Sequence, residues 1–144
     1  MNRYQEKKET PLLVGVYGSL RKDLHNHRIL TLSNSKLVGT FQTVPEYTMY
    51  DLGSYPGVVV EGNTSIFIEV YEITETTLEK LDSLEGYYTF NALNNHYNRR
   101  KIESPYGEMY VYYYNNKYNY TPEKNKIVTS GDWKDYKETK QLTN

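Results

Sequence analysis

The sequence predicts an α+β domain, with a curved or closed sheet that carries helices on its outside. Many short strand-like segments are separated by turns rich in Gly, Pro, Asn and Ser, and one strong helical pattern stands among them. Strands and helices do not alternate regularly, which disfavours a doubly wound parallel sheet. The 144 residues fit one domain. We predict that domain over residues 11–136, with tails at 1–10 and 137–144.

The composition excludes several classes of function. A formal net charge of -1 argues against a nucleic-acid-binding surface, which usually needs a basic excess. The chain has no cysteine, so disulfides and thiolate chemistry are excluded. Its three histidines lack the spacing of a zinc site, so no metal is expected. The N-terminus is charged and no apolar run approaches about 20 residues. A cytoplasmic protein without a membrane partner is therefore expected.

The first predicted strand covers residues 12–16, a short apolar run rich in branched side chains that is typical of burial on both faces. Gly18 follows it. Glycine permits a positive φ and a close approach to the backbone, so amide groups here could gather around an anion or a carbonyl oxygen. Alternatively, Gly18 and Ser19 only turn the chain, and these residues alone leave both interpretations open.

The following segments read as a short helix and then a series of strands. Asn26 is predicted to cap the helix, which directs Ile29 and Leu30 inward. The strands are predicted at residues 36–44, 47–52, 58–61 and 65–73, with turns at 53–57 and 62–64.

The strongest helix is predicted at residues 74–85, where leucines recur every three residues. Thr76 and Glu79 have the spacing of a capping box, and Gly86 stands where a helix would end. The remaining prediction is a long loop at 87–97, strands at 97–103 and 108–114, and short helices beginning at 121 and 130.

Glu85 is the strongest candidate for chemistry, because its position is unfavourable for a surface glutamate. It lies in the last helical turn, where the helix dipole disfavours a carboxylate. It also lies beside the leucine stripe and before Tyr87 and Tyr88, which predicts partial desolvation. Both effects raise the pKa of a carboxyl group towards the range useful for general acid/base catalysis. The alternative is an exposed glutamate at the edge of the stripe.

The other charged positions predict structural roles. Glu69 and Glu72 fall on opposite faces of one strand, so at most one faces the interior. Asp82 is predicted to be solvated. One of Arg99 and Arg100 should point inward, where it would need a carboxylate partner from the fold or from a ligand.

Taken in order, several short motifs resemble the γ-glutamylcyclotransferase-like family, which includes γ-glutamylamine cyclotransferase and the AIG2-like proteins. The resemblance covers residues 12 to about 133, and its motifs are VYGSL at 16–20, NH at 26–27, YPG at 55–57, EVYEI at 69–73, LDSLEGY at 81–87, YNR at 97–99 and SGDW at 130–133.

The resemblance implies a small mixed β-barrel with flanking short α-helices, whose cavity holds a γ-glutamyl group. The implied reaction is attack of the α-amine on the γ-carbonyl, which gives 5-oxoproline and a free amine or amino acid, with Glu85 as the general acid/base. It needs no metal or cofactor, and the expected state is a monomer or weak homodimer. The implied substrate-binding residues are Tyr17, Gly18, Ser19, Leu20, Tyr55, Pro56, Gly57 and Tyr87.

Two positions depart from the family pattern. Ile68 stands where relatives commonly have glycine, which could narrow the cavity, and the segment 88–96 is longer than expected, which could rebuild its rim. Two alternatives to an enzyme remain open here. One is a module that binds a small metabolite in the same cavity without turnover, and the other is an adaptor that uses a tyrosine-rich surface.

Overall fold

The computed structural model describes residues 10–90 and 92–142. Of the predicted N-terminal tail, residues 1–9 lie outside the described residues. The α+β prediction is confirmed. The elements in chain order are β1 (Leu12–Val16), α1 (Arg28–Leu32), β2 (Lys36–Gln42), β3 (Tyr47–Asp51), β4 (Pro56–Thr64), β5 (Phe67–Ile73), α2 (Glu75–Glu85), β6 (Tyr97–Ser104), β7 (Gly107–Tyr114), a 3-10 turn (Lys124–Lys126) and α3 (Trp133–Leu142).

The described strands form a five-stranded sheet, ordered β2-β5-β1-β7-β6, and a separate β3–β4 hairpin, rather than a closed barrel. The sheet is mixed, as predicted, because β1 pairs antiparallel with β5 and parallel with β7. Tyr106, in the turn between β6 and β7, nevertheless reaches the edge strand β2, where its hydroxyl donates to the Thr40 carbonyl at 2.9 Å. A side chain, and not a backbone ladder, thus makes this contact with the edge strand.

The sheet is covered on both faces because its strands alternate between two cores. Val14 of β1 and Tyr112 of β7 belong to the core that includes Leu81 of α2. Met109 and Val111 of β7 belong to the other core, together with the β3–β4 hairpin and α3. Neighbouring residues of β7 therefore face opposite sides of the sheet, as the pleat of a strand requires.

Helix α2 matches the predicted segment, but its N-terminal cap does not match the predicted capping box. Thr74 is the cap, and its Oγ1 accepts a hydrogen bond from the Thr77 amide at 3.2 Å, whereas Thr76 lies inside the helix. At the other end, Gly86 is left-handed, with φ of 65°. The Tyr87 amide bonds back to the Asp82 carbonyl, which completes a Schellman ending.

Two other local predictions were wrong. Helix α1 begins at Arg28, and the Asn26 side chain bonds to Ser19 instead of capping it. The predicted turn at 62–64 lies within β4, where Gly62 has φ of 127° beside an irregular register with β3. Helix α3 runs from Trp133 to Leu142, so it continues beyond residue 136, and the Tyr136 ring stacks on Trp133 within it.

None of the helices in the described part of the chain combines the length and apolar character needed to cross a membrane.

Candidate functional site

A cavity of about 340 Å³ lies where the C-terminal end of β1 meets the end of α2 and the starts of β4 and β6. It is lined by residues 15–20, His25, Asn26, residues 54–56, Leu84, Glu85, His96, Tyr97 and Tyr112. Of the strands that supply these residues, β1 and β7 are paired on both sides within the five-stranded sheet, whereas β6 is its edge strand and β4 belongs to the separate hairpin.

Most of the residues predicted from the sequence line this cavity. They are Glu85, Tyr17, Gly18, Ser19, Leu20, Tyr55 and Pro56. Gly57 and Tyr87 are not among the lining residues. Gly57 lies in β4 with its backbone against the Tyr114 ring, where a Cβ would approach Tyr114 Cβ to 2.9 Å. The Tyr87 ring instead faces the Arg99 guanidinium, at 4.8 Å from the ring centroid.

Gly18 is required by a close contact and not by its backbone angles. Its φ is not positive, but a Cβ at this position would lie 2.7 Å from Pro56 Cδ. The glycine therefore lets the loop that follows β1 pass against the start of β4. Ile68 does not narrow the cavity, because it is buried in the other core, against Gly15.

The loop at residues 17–20 presents free amide groups. Its carbonyls are engaged: Gly18 accepts from the Arg21 amide at 3.0 Å, and Ser19 accepts from the Asn26 amide at 2.9 Å. His27 Nδ1 bonds to the Leu20 carbonyl at 2.9 Å. Within the described residues, the amides of Gly18, Ser19 and Leu20 donate to no protein acceptor. This arrangement leaves donors available for a bound oxygen.

Arg21 anchors the end of the loop through a buried ion-pair network that sequence reasoning missed. Its Nε donates to Glu69 at 2.9 Å, and its Nη1 donates to Asp132 at 2.8 Å. Glu69 also accepts from the Lys22 amide and the Tyr71 hydroxyl, each at 2.9 Å. The full set of bonds offsets the cost of burying the charges.

Glu85 is the last residue of α2, and its carboxyl group is crowded by protein atoms. The carboxylate is close enough to interact electrostatically with the hydroxyls of Tyr17, Tyr97 and Tyr112. Each donates elsewhere at 2.6 Å, to the Tyr112 carbonyl, the Pro56 carbonyl and Asp82 respectively. Burial raises the pKa of the Glu85 carboxyl to about 7. The sequence anticipated the direction of this shift.

Arg99 has the internal carboxylate partner that was predicted. Its Nη1 donates to Asp82 Oδ2 at 2.5 Å, and the Tyr112 hydroxyl donates to the other oxygen of Asp82. The guanidinium lies 4.8 Å from the ring centroids of both Tyr87 and Tyr110. The prediction that Asp82 is solvated was therefore wrong, because a strand residue far along the chain pairs with it.

His96 is a cavity residue that the sequence did not identify. Its amide donates to the Gly86 carbonyl at 3.0 Å, beside the end of α2, and its carbonyl accepts from the Asn115 amide at 3.1 Å. The ring packs edge-on against Tyr97 and Tyr114. Burial lowers the pKa of the imidazole, while a side-chain hydrogen bond with Asn119 acts in the opposite direction. No local sequence motif predicts the position of His96, because its hydrogen bonds with Asn115 and Asn119 come from a segment after β7.

The chain is similar to a known family of proteins. The family model described as "Gamma-glutamyl cyclotransferase, AIG2-like" matches residues 14–135. A Vibrio cholerae protein whose name carries γ-glutamylcyclotransferase as a provisional assignment is 43% identical over 121 residues, covering 84% of this chain and 94% of the relative.

Two further similarities concern a solved structure and a named activity. The solution structure of protein ytfP from Escherichia coli matches with a TM-score of 0.63 and 34% identity, over 88% of this chain and 99% of that chain. A Niallia circulans protein named γ-L-glutamyl-butirosin B γ-glutamyl cyclotransferase is 29% identical over 123 residues, covering 85% of this chain and 75% of the relative.

Proposed function

The chain belongs to the AIG2-like γ-glutamyl cyclotransferase family, and from this premise we propose that it converts a γ-glutamyl compound into 5-oxoproline and a free amine or amino acid. Glu85 is the general acid/base of this reaction. The Niallia circulans relative, which is named for such an activity on γ-L-glutamyl-butirosin B, supports the assignment at the level of reaction type.

The observation that carries the proposal is the raised pKa of the Glu85 carboxyl group. Burial raises this pKa to about 7. At neutral pH such a group is present in both protonation states, so it can accept a proton in one step and return it in another. Its neighbours Tyr17, Tyr97 and Tyr112 donate their hydroxyl protons to other acceptors. The carboxylate therefore keeps its acceptor capacity for a substrate ammonium.

The loop at residues 17–20 provides the complementary group of donors. Its free amides can bind a carboxylate or carbonyl oxygen of the γ-glutamyl unit. Backbone donors that are fixed by the Asn26 and Arg21 contacts need little reorganisation when a substrate binds. Substrate held between this loop and Glu85 has its α-nitrogen and γ-carbonyl in one enclosed space, which favours ring closure by proximity.

The chemistry balances without a cofactor. Glu85 removes one proton from the α-ammonium, and the resulting amine attacks the γ-carbonyl carbon. The bond from that carbon to the leaving nitrogen then breaks, and its electron pair goes to the leaving nitrogen. The attacking nitrogen loses a second proton and the leaving nitrogen gains one, so the products are 5-oxoproline and an amine. Protonated Glu85 finally returns its proton to the released amine.

The direct test is detection of 5-oxoproline by mass spectrometry after incubation with γ-glutamyl amines, γ-glutamyl amino acids and glutathione. We expect turnover of at least one of these by the wild-type protein and a loss of about 10² or more in kcat for Glu85→Gln. Glu79→Gln is the matched control, because Glu79 is exposed on the same helix. Tight binding of γ-glutamyl compounds without any 5-oxoproline would overturn the proposal in favour of a metabolite-binding module.

A further inference from the structure

The proposed ring closure moves two protons away from the α-nitrogen, and a single carboxylate can hold only one of them at a time. The second proton is released after attack, when the former amine is bonded to the same carbon as the leaving nitrogen. A hydroxyl group near both nitrogens could take this proton and give its own to the leaving nitrogen. Such a hydroxyl needs a proton that is not already donated to an acceptor of the protein.

Tyr55 is the lining tyrosine whose hydroxyl is not tied to an oxygen acceptor. The hydroxyls of Tyr17, Tyr97 and Tyr112 each donate at 2.6 Å to a backbone carbonyl or a carboxylate. In the described part of the chain the Tyr55 hydroxyl has one hydrogen-bonding contact, to His96 Nε2, and it is long at 3.4 Å. Tyr55 is only partly buried and lies just before β4, whereas Tyr97 is 4% exposed.

His96 is held in place on the same wall. Its backbone bonds to Gly86, the residue after Glu85, and to Asn115. Its ring lies edge-on to Tyr97 at a centroid distance of 4.9 Å and to Tyr55 at 6.0 Å. When the proton of the neutral imidazole is on Nε2, His96 donates to the phenol oxygen of Tyr55. The hydroxyl proton of Tyr55 is then free for a substrate atom.

We propose that Tyr55 is a second catalytic residue of the reaction, which carries the second proton from the attacking nitrogen to the leaving nitrogen, and that His96 is a positioning residue that orients its hydroxyl. This inference rests on the proposed function. In the tetrahedral intermediate, the Tyr55 oxygen gives its proton to the leaving nitrogen and receives one from the attacking nitrogen. The carbon–nitrogen bond breaks, the carbonyl re-forms, and Tyr55 ends the step unchanged. Glu85 holds the first proton throughout.

The test uses two substrates of nearly equal size whose leaving nitrogens differ in basicity, γ-glutamylethylamide and γ-glutamyl-trifluoroethylamide. The fluorine atoms make the second nitrogen a better leaving group, which depends less on protonation. We expect Tyr55→Phe to lower kcat on the ethylamide by about 10² and on the trifluoroethylamide by less than about threefold. His96→Phe should also lower kcat more on the ethylamide than on the trifluoroethylamide, but by a smaller factor. In the double variant, adding His96→Phe to Tyr55→Phe should lower kcat little further.

Tyr114→Phe is the matched control, since its hydroxyl donates to the Tyr120 carbonyl at 2.8 Å and its ring lies behind His96. It should affect both substrates equally. If Tyr55→Phe slows both substrates by the same factor, or slows neither, Tyr55 has no part in proton transfer and only this inference is overturned. A wild-type protein that forms 5-oxoproline from neither substrate nor any other γ-glutamyl compound would overturn the proposed function, and this inference with it.

Discussion

Asp82 and Glu85 lie three residues apart on α2, and only Asp82 has hydrogen-bond donors assigned to it within the described residues. Asp82 accepts from Arg99 and Tyr112, whereas Glu85 keeps a carboxyl group whose pKa is raised by burial to about 7. Two acids of one helix face thus differ in their surroundings, because Asp82 is paired with donors and Glu85 is left available for the acid/base role that we propose for it. The difference arises because β6 and β7 bring their donors to Asp82 and not to the end of the helix.

Glu85→Gln should make the protein more stable at neutral pH. The pKa of Glu85 is higher in the folded chain than the unfolded value near 4.5, so folding favours its protonated form. Below pH 4.5 both states are protonated, and as pH rises to 7 the unfolded chain ionises first and wild-type stability falls. A shift of this size corresponds to about 3 kcal/mol at most.

Urea unfolding of wild type and Glu85→Gln at several pH values measures this effect. The difference in unfolding free energy should be near its minimum at pH 4, grow up to pH 7 and then stay constant. Glu79→Gln should show no such trend. A difference that does not change with pH would mean that the Glu85 carboxyl has an ordinary pKa.

Gly18→Val should weaken substrate binding far more than Ser19→Ala. A Cβ at Gly18 would lie 2.7 Å from Pro56 Cδ, so the loop amides must move, and we expect KM to rise about tenfold or more. Ser19→Ala removes a hydroxyl that accepts from Asn26 Nδ2 at 2.8 Å, which should cost about 1 kcal/mol of stability. Steady-state kinetics would contradict the role of the backbone amides if Ser19→Ala alone abolished activity.

Arg99→Ala should destabilise the fold by about 2 kcal/mol. The side chains of Arg99 and Asp82 are each 21% exposed, so we expect less than the 3–5 kcal/mol typical of a fully buried pair. Chemical unfolding measures the change. The exposed neighbour Arg100 provides the control, since Arg100→Ala should stay within about 0.5 kcal/mol of wild type. Equal effects of the two substitutions on the free energy of unfolding would show that the Arg99–Asp82 pair does not stabilise the fold.

Arg21→Met should destabilise the fold more than Arg99→Ala does, because it leaves the Glu69 carboxylate buried without its cation. The Arg21 and Glu69 side chains are 5% and 8% exposed, and we expect a loss of about 3–5 kcal/mol. Combining Arg21→Met with Glu69→Gln should recover part of this loss, because the uncompensated charge is removed. A thermal-unfolding cycle in which the two changes add without interaction would contradict the buried pairing.

The features that the sequence predicted well are those with a local physical cause. Alternation of side chains predicted β6 and β7 to within one residue at each end, and the leucine spacing predicted α2. The place of Glu85 beside the leucine stripe predicted the burial that raises the pKa of its carboxyl group. Each of these depends on residues within one element, so a single sequence contains the signal.

The features that were missed depend on residues distant in the chain. The bond from Arg21 to Asp132 joins the loop after β1 to the start of α3, and no spacing rule anticipates it. The position of His96 is set by Asn115 and Asn119 after β7. Gly62 was misread because a glycine between strand segments usually indicates a turn, whereas here it allows an irregularity within one long strand.

The place of β1 in the sheet also governs the order in which the molecule can assemble on the ribosome. The strand is synthesised first, yet both of its partners come later, and the parallel partner β7 comes last. Tyr112 of β7 also lines the cavity, so the cavity cannot be completed until most of the chain has been translated. Until β7 has been translated, at least one edge of this apolar strand lacks its partner, and an unpaired apolar strand edge is a place where aggregation can begin.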